Sequence, residues 1–232
     1  MILTDVDYRS AFDRGNALVI EGLELSNCSF SHCGLSMTKE IAKRSIVRNC
    51  KLTNSAVGGC DIGPAILENI EVDGVDTKEL LIVWGALFKN VVFRGECGKI
   101  KINHWVHFTD RTAATQAPFD EARNRFYDSI DWAIDIRDAK FREFEYRGIP
   151  GRLIKRDPET QFLVRRENVI DASWRNKVSK SNVHWPFVLE LFESDGDEDI
   201  VLVAPLAAPK KKRESLLEEL RELRALGVAD AD

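Results

Sequence analysis

The chain has little of what the common chemistries need. It has 5 cysteines among 232 residues, an odd number. No two of them stand in a C-x-x-C pair, so a thiolate zinc site has no framework here. It has no G-x-S-x-G elbow, no H-E-x-x-H pair and no glycine-rich phosphate loop, so those hydrolase, metalloprotease and nucleotide-binding signatures are absent. No apolar run approaches the roughly 18 residues that would span a bilayer. Neither sign of charge dominates: Lys plus Arg number 33, Asp plus Glu 38, and the formal net charge is -5. That weighs against the basic stripe of a typical nucleic-acid binder and against the dense acidic face of a duplex mimic. The opening residues, Met1 to Tyr8, lack a basic start followed by an apolar core, so no signal peptide is expected and the chain is placed in a reducing cytoplasm.

What the sequence does have is a beat of five. From Leu23 the apolar or small pairs run Leu23/Leu25, Cys28/Phe30 and Cys33/Leu35. They resume as Ser45/Val47, Cys50/Leu52, Ser55/Val57, Cys60/Ile62, Ala65/Leu67 and Ile70/Val72. The positions between are mostly polar, among them Asn27, Lys51, Asn54, Asp61, Glu68 and Glu71. This period fits neither a helix nor a flat strand. It fits a chain that turns a corner every five residues and stacks on itself, with four of the cysteines as small core residues. After Val75–Glu79 the frame moves by one residue, to Leu81/Val83, Ala86/Phe88 and Val91/Phe93. It slips again near Gly95 and Gly98 before Ile100/Ile102, and glycines suit such re-aimed backbone.

The pairs Cys28-Ser-Phe30, Cys33-Gly-Leu35, Cys50-Lys-Leu52 and Cys60-Asp-Ile62 resemble the pentapeptide-repeat proteins, in a degenerate form with frame slips and a helical interruption. The resemblance covers residues 18–102 and 134–150. It implies a right-handed parallel β-helix of square section, with about twenty residues per coil and coils about 4.8 Å apart. The expected fold is therefore mainly β with α: residues 1–150 as that β-helix and residues 151–232 as a mainly helical capping region. An N-terminal helix is expected over 5–14, with Asp5 as its cap and Tyr8 and Phe12 on one face. Met37–Arg44 is expected to loop out of the stack. A helical insertion is expected near 118–130, starting at Pro118, and the five-beat returns at Ile134/Ile136, Ala139/Phe141 and Phe144/Tyr146.

Beyond 150, Asp157-Pro158 is expected to start a helix whose stripe is Phe162, Leu163, Val169, Ile170 and Trp174. Residues 186–203 read either as a helix followed by a strand or as a hairpin through the acidic turn 194–199. The last helix carries Leu216, Leu220 and Leu223 and ends at Gly227; the Ser215/Glu218 capping spacing favours a start there over Lys210.

Candidate chemistry is thin. His104 and His107 flank Trp105 ahead of Asp110, but the spacing is no recognised ligand motif, and they read as loop residues packed under the insertion. Asp195, Asp197 and Asp199 lack the closing glutamate of an EF-hand and read as a solvated loop. A basic segment runs from Arg147 through Arg166 to Lys180 with little aromatic interleaving, and Lys210–Arg213 reads as a solvated lead-in to a helix. We expect no catalytic, cofactor-binding or metal-binding residues, no cofactor, no nucleic acid and no membrane. The expected function is non-enzymatic binding of a protein partner, for example as a bacterial immunity protein against a toxin. The alternatives are a DNA-mimic topoisomerase inhibitor or a structural scaffold. The C-terminal part either caps the last coil or provides a homodimer contact.

Overall fold

In a computed structural model of the chain, residues 1–106 and 112–230 are described. The first half is a parallel sheet of short and long strands. The short ones are β1 (Ile2–Thr4), β2 (Asp7–Arg9), β3 (Val19–Glu21), β4 (Glu24–Ser26), β5 (Ser29–Ser31) and β6 (Gly34–Leu35). Next come β7 (Ile46–Gly58), β8 (Asp61–Ile62), β9 (Ile66–Trp84) and β10 (Leu87–Asn103). Helix α1 (Ala113–Asp128) interrupts, and β11 (Ile134–Tyr146) and β12 (Ile154–Lys155) rejoin the sheet.

Every pairing within this sheet is parallel, and each pass of chain pairs with the one before, with register shifts confined to the pairings of β10. Leu3, Leu25, Leu52, Val72 and Phe93 form one column. Leu35, Ile62, Val83, Ile102 and Tyr146 form another. Cross-pass hydrogen bonds link residues 27 apart in sequence across the Met37–Arg44 excursion but 20 and 21 apart beyond it. The excursion, which includes a 3-10 turn at Ile41–Lys43, therefore adds residues without adding a wall.

The five-residue beat has a backbone counterpart. Positive φ recurs at Asp5 and Ser10, at Gly22, Asn27 and His32, at Asn49, Asn54 and Gly59, at Asn69 and Gly74, and at Gly85, Asn90 and Gly95. Asn, Asp and Gly tolerate this left-handed region best, because a short polar side chain or none relieves the Cβ clash. The long strands are thus bent at each corner and present a new face every five residues. At Gly98 a Cβ would fall 2.1 Å from Thr77 Oγ1 and 2.5 Å from its backbone nitrogen. Register shifts flank this point, between Arg94 and Cys97 and between Cys97 and Lys99.

The N-terminus departs from expectation. Residues 5–14 form no helix; β1 and β2 are the first pass of the sheet. Tyr8 lies flat on Phe30, ring centroids 4.9 Å apart and planes 7° from parallel. Asp5 and Ser10 donate backbone N–H groups to Ser26 and Ser31 carbonyls at 3.0 Å. A lone ten-residue helix is marginal in water, whereas the next pass offers these residues a ready row of backbone partners.

The region after 150 is a mixed layer laid against the last passes. Asp157 does not start a helix. Its carboxylate accepts the Glu159 N–H and the Thr160 hydroxyl, tying a turn, and β13 (Gln161–Arg165) follows. Phe162, Leu163 and Val164 are buried in succession, which a strand covered on both faces accommodates and an amphipathic helix does not. Val169 caps one short 3-10 turn and Trp174 sits in another. Helix α2 (His184–Ser194) is followed by β14 (Asp199–Val203), which pairs antiparallel with β13. The 186–203 stretch is thus helix plus strand, and the strand's antiparallel partner is β13. Helix α3 (Lys210–Ala225) begins at Lys210 behind Pro209, not at Ser215. Gly227, at φ 73°, closes it, and the Val228 N–H returns to the Leu223 carbonyl at 3.0 Å.

One hydrophobic cluster runs from Val75 through Phe141 and Tyr146 to Phe162, Leu189, Leu202 and Leu220. The C-terminal layer is stitched to the sheet by the Gln161 amide donating to the Ile136 carbonyl at 2.8 Å and the Ala207 N–H donating to the Phe141 carbonyl at 2.9 Å. No helix of the described residues is long and apolar enough to cross a membrane.

Candidate functional site

The stacked passes generate columns of outward side chains. In one column Glu21, Arg48, Glu68 and Lys89 follow one another. In a second, Glu24, Lys51, Glu71, Val92, Asp135 and Lys155 do the same. Charges on directly paired passes have opposite sign in each column, and the uncharged Val92 separates Glu71 from Asp135. Arg48 reaches Glu21 at 2.8 Å, Lys51 reaches Glu71 at 3.4 Å, and Arg94 approaches the same carboxylate at 4.0 Å. On the same stack Lys101 meets Glu145 at 2.8 Å and Arg137 meets Asp135 at 2.6 Å. Alternation is what strand spacing demands, since like charges one strand apart repel.

A corner of the wall carries an amide ladder. Asn90 Nδ2 donates to Asn69 Oδ1 at 3.0 Å, and Asn69 Nδ2 donates to Asn49 Oδ1 at 3.0 Å. Asn49 in turn donates to Glu21 at 3.1 Å. These three residues hold the corners by φ and bind successive passes by side chain. The signal for them was present in the sequence as Asn and Gly at five-residue spacing, outside the apolar frame.

The acidic loop is an anchor and not a solvated turn. Asp195 Oδ2 accepts from Arg147 Nε at 2.7 Å, Asp197 Oδ2 from the Gly148 N–H at 2.9 Å, and Asp199 Oδ1 from the Gly151 N–H at 2.6 Å. Three alternate carboxylates thus clasp the turn that leaves β11. Burial raises the Asp199 pKa above its ordinary value; the Gly151 hydrogen bond opposes this and the neighbouring Asp197 charge adds to it. Arg166 closes the other side. Its guanidinium donates to the carbonyls of Asp197 at 2.8 Å, of Glu193 and Phe192 at 3.2 Å, and of Asp195, so it satisfies the end of α2.

The basic segment is dispersed by the fold. Arg147 pairs with Asp195, Arg165 with Asp230 at 2.7 Å and Arg175 with Glu193 at 2.7 Å. Lys155 sits 3.8 Å from the centroid of the Trp132 ring. These cations hold the C-terminal layer together and do not line up as a stripe. Lys210–Arg213 forms the first turn of α3, with Lys210 3.9 Å from Glu214.

His104 is half-buried beside Trp105, ring centroids 4.9 Å apart. Burial lowers its pKa, and the Arg123 charge lowers it further. Gln116 of α1 ties this segment down, donating to the His104 carbonyl at 3.1 Å and accepting from the Val106 N–H at 3.0 Å. His107 and Asp110 lie outside the described residues. A cavity of about 140 Å³ opens between His104, Trp105, Arg147 and Leu191, and another of about 100 Å³ between Arg142, His184, Trp185 and Lys212. Both are smaller than the roughly 300–1,000 Å³ of typical ligand pockets. Among the described residues no three His, Cys, Asp or Glu side chains converge as a metal-binding group. The cysteines are free thiols; burial pushes Cys97 up to about 11.

No protein-family model matches the chain, and no curated protein matches its sequence. Among solved structures it is similar to QnrB1, a plasmid-mediated fluoroquinolone resistance protein, at 10% identity and a TM-score of 0.23. That similarity covers 67% of this chain and 81% of QnrB1. A likeness of that degree carries no argument about fold or function. What stands on the chain's own geometry is a mainly β protein with three α-helices among the described residues and a large parallel sheet.

Proposed function

We propose that the stacked passes are a right-handed β-helix of the pentapeptide-repeat type, and that the chain is a non-enzymatic protein that binds and inhibits a protein partner. The observation that carries the reading is the pair of outward charge columns, Glu21-Arg48-Glu68-Lys89 and Glu24-Lys51-Glu71. They are held on backbone fixed by parallel pairing and by the asparagine corners. A wall of this kind loses little freedom on binding, which favours recognition of one complementary protein surface. Alternating charge also gives register and specificity, because a misaligned partner meets like charges. Inhibition follows from the same wall when the surface it covers is a partner's working face, as for an immunity protein on a toxin.

The same columns count against a duplex mimic, which needs an unbroken negative face to imitate phosphates. The test is affinity capture from the native host with the purified chain and with a variant carrying Lys51→Glu and Arg94→Glu. The expected result is one protein retained by the native chain and lost with the variant. Retention of nothing, or potent topoisomerase inhibition unaffected by the variant, contradicts the proposal.

A further inference from the structure

The first pass of the stack has one unpaired side. Leu3 and Tyr8 pair with Leu25 and Phe30 of the next pass, and Phe12 bridges to Gly34. The carbonyls of Met1, Val6 and Ala11 accept from Glu24, Ser29 and Gly34, and the N–H groups of Asp5, Ser10 and Asp13 donate to Ser26, Ser31 and Gly34. Along an extended strand such groups alternate in direction. The residues between therefore turn their N–H and C=O groups the other way: Ile2 and Thr4 on the first face, Asp7 and Arg9 on the second, Phe12 on the third. Among the described residues no strand lies beyond them. Leu3 and Tyr8 point into the stack yet are only half-buried, because nothing covers them from that side. An edge of this kind is a template for another strand.

The edge is complementary to itself about Tyr8. A twofold axis through Tyr8 and normal to its face keeps outward side chains outward and reverses the strand direction. β2 of one copy then lies antiparallel on β2 of the other, and β1 lies antiparallel on the Phe12 face. Asp7 meets Arg9 and Thr4 meets Phe12, each a residue with edge-turned backbone groups, so every N–H finds a C=O. On the outer side the Asp7 carboxylate stands opposite the Arg9 guanidinium, twice by symmetry. Within one chain these two side chains are 64% and 79% exposed and come only to 4.0 Å of each other. A slip of two residues in either direction sets Asp7 against Asp7 or Arg9 against Arg9, so charge selects this register. The chain climbs one strand spacing per pass, which leaves the fourth face, β3, too far from its mate to pair. Such self-complementarity is what an isologous interface requires.

We propose that the first pass of this chain pairs edge to edge with the first pass of a second copy, head to head, across a twofold axis through Tyr8. The dimer joins the two parallel sheets by antiparallel pairing and covers Leu3 and Tyr8. Ile2 and Phe12, 71% and 49% exposed, lie at its rim. The contact uses the end of the stack and leaves the charged walls uncovered, so this proposal and the binding function fail separately.

Sedimentation velocity on the full chain, from about 1 µM to about 500 µM, tests it. The native chain is expected to shift from monomer to dimer across that range. Arg9→Asp sets like charges against each other at both symmetric contacts and is expected to weaken association about tenfold or more. Adding Asp7→Arg restores opposite charges in the same register and is expected to recover most of that loss. Arg9→Pro removes an N–H that only the dimer uses, and it is expected to stay monomeric with an unchanged circular dichroism spectrum. The charge exchange keeps the test decisive if Arg9→Pro fails to fold. A native chain that stays monomeric throughout, a dimer indifferent to Arg9→Asp, or a double variant without recovery overturns the proposal.

Discussion

The Val201 backbone N–H donates to the Tyr146 hydroxyl at 2.8 Å, across a boundary the chain takes 55 residues to cross. Tyr146 is the last residue of β11 and Val201 the centre of β14, and both are buried. The bond fixes the C-terminal layer on the final pass of the stack. Tyr146→Phe leaves the Val201 N–H without its acceptor, and the expected loss is roughly 1–3 kcal/mol. Urea denaturation of the two proteins measures it; an unchanged midpoint contradicts the role assigned to the hydroxyl.

Arg147 and Asp195 make the second clasp. Their side chains are only 10% and 29% exposed. Asp195→Ala strands a largely buried guanidinium, and the expected cost is roughly 2–3 kcal/mol. Arg48→Ala on the outer wall is expected to leave the midpoint unchanged within error, because its pair with Glu21 is 44% and 47% exposed. Parallel denaturation curves check the contrast.

Two carboxylates, the buried Asp13 and the half-buried Asp199, give opposite acid responses. Burial raises the Asp13 pKa, but hydrogen bonds from the Ser45 hydroxyl, from the Asn16 and Ser36 N–H groups and from the Asn16 amide outweigh it. The net pKa lies below the ordinary 3.8, so the stabilisation is complete above 3.8 and is lost as pH falls through the lower folded value. Asp13→Asn is therefore expected to be less stable than the native chain at neutral pH, with the difference shrinking in acid. Asp199 has a raised pKa, so its ionised form costs stability above the folded value and the cost disappears as pH falls through it. Asp199→Asn keeps an oxygen for the Gly151 N–H and is expected to be at least as stable as the native chain at neutral pH. Denaturation midpoints taken between neutrality and about pH 3 separate the two signs.

The asparagine corners predict a conformational penalty. Asn69 has φ 54° and belongs to the amide ladder. Asn69→Gly removes only the ladder bonds, whereas Asn69→Val also forces a β-branched side chain into the left-handed region, at a cost of roughly 1–2 kcal/mol more. Equal melting temperatures for the two variants would remove the corner argument.

How much of this was legible depended on which force set each segment. The apolar frame from Leu25 through Leu52 to Val72 was readable because inward packing repeats with the corners and leaves its period in side-chain type. The N-terminal segment misled because Tyr8 and Phe12 also satisfy a helical spacing. The deciding influence was the edge offered by Glu24–Ser31, which local propensity does not register. Asp157-Pro158 misled likewise, since the same capping chemistry ties a turn when buried Phe162 and Val164 need a strand partner in β14. The clasp of Asp195, Asp197 and Asp199 on residues 147–151 was invisible, because its partners lie 48 and 49 positions away. The outward columns were hidden for a similar reason: their order depends on a register that the Met37–Arg44 excursion and α1 both offset.

Both walls depend on that register, and methyl-to-methyl nuclear Overhauser contacts in a sample labelled at Leu and Val read it directly. The predicted result is a chain of contacts from Leu25 to Leu52 and from Leu52 to Val72, neighbours on successive parallel passes. Absence of both contacts, with Leu52 instead touching residues three and four positions away in sequence, would contradict the stack and everything built on its walls.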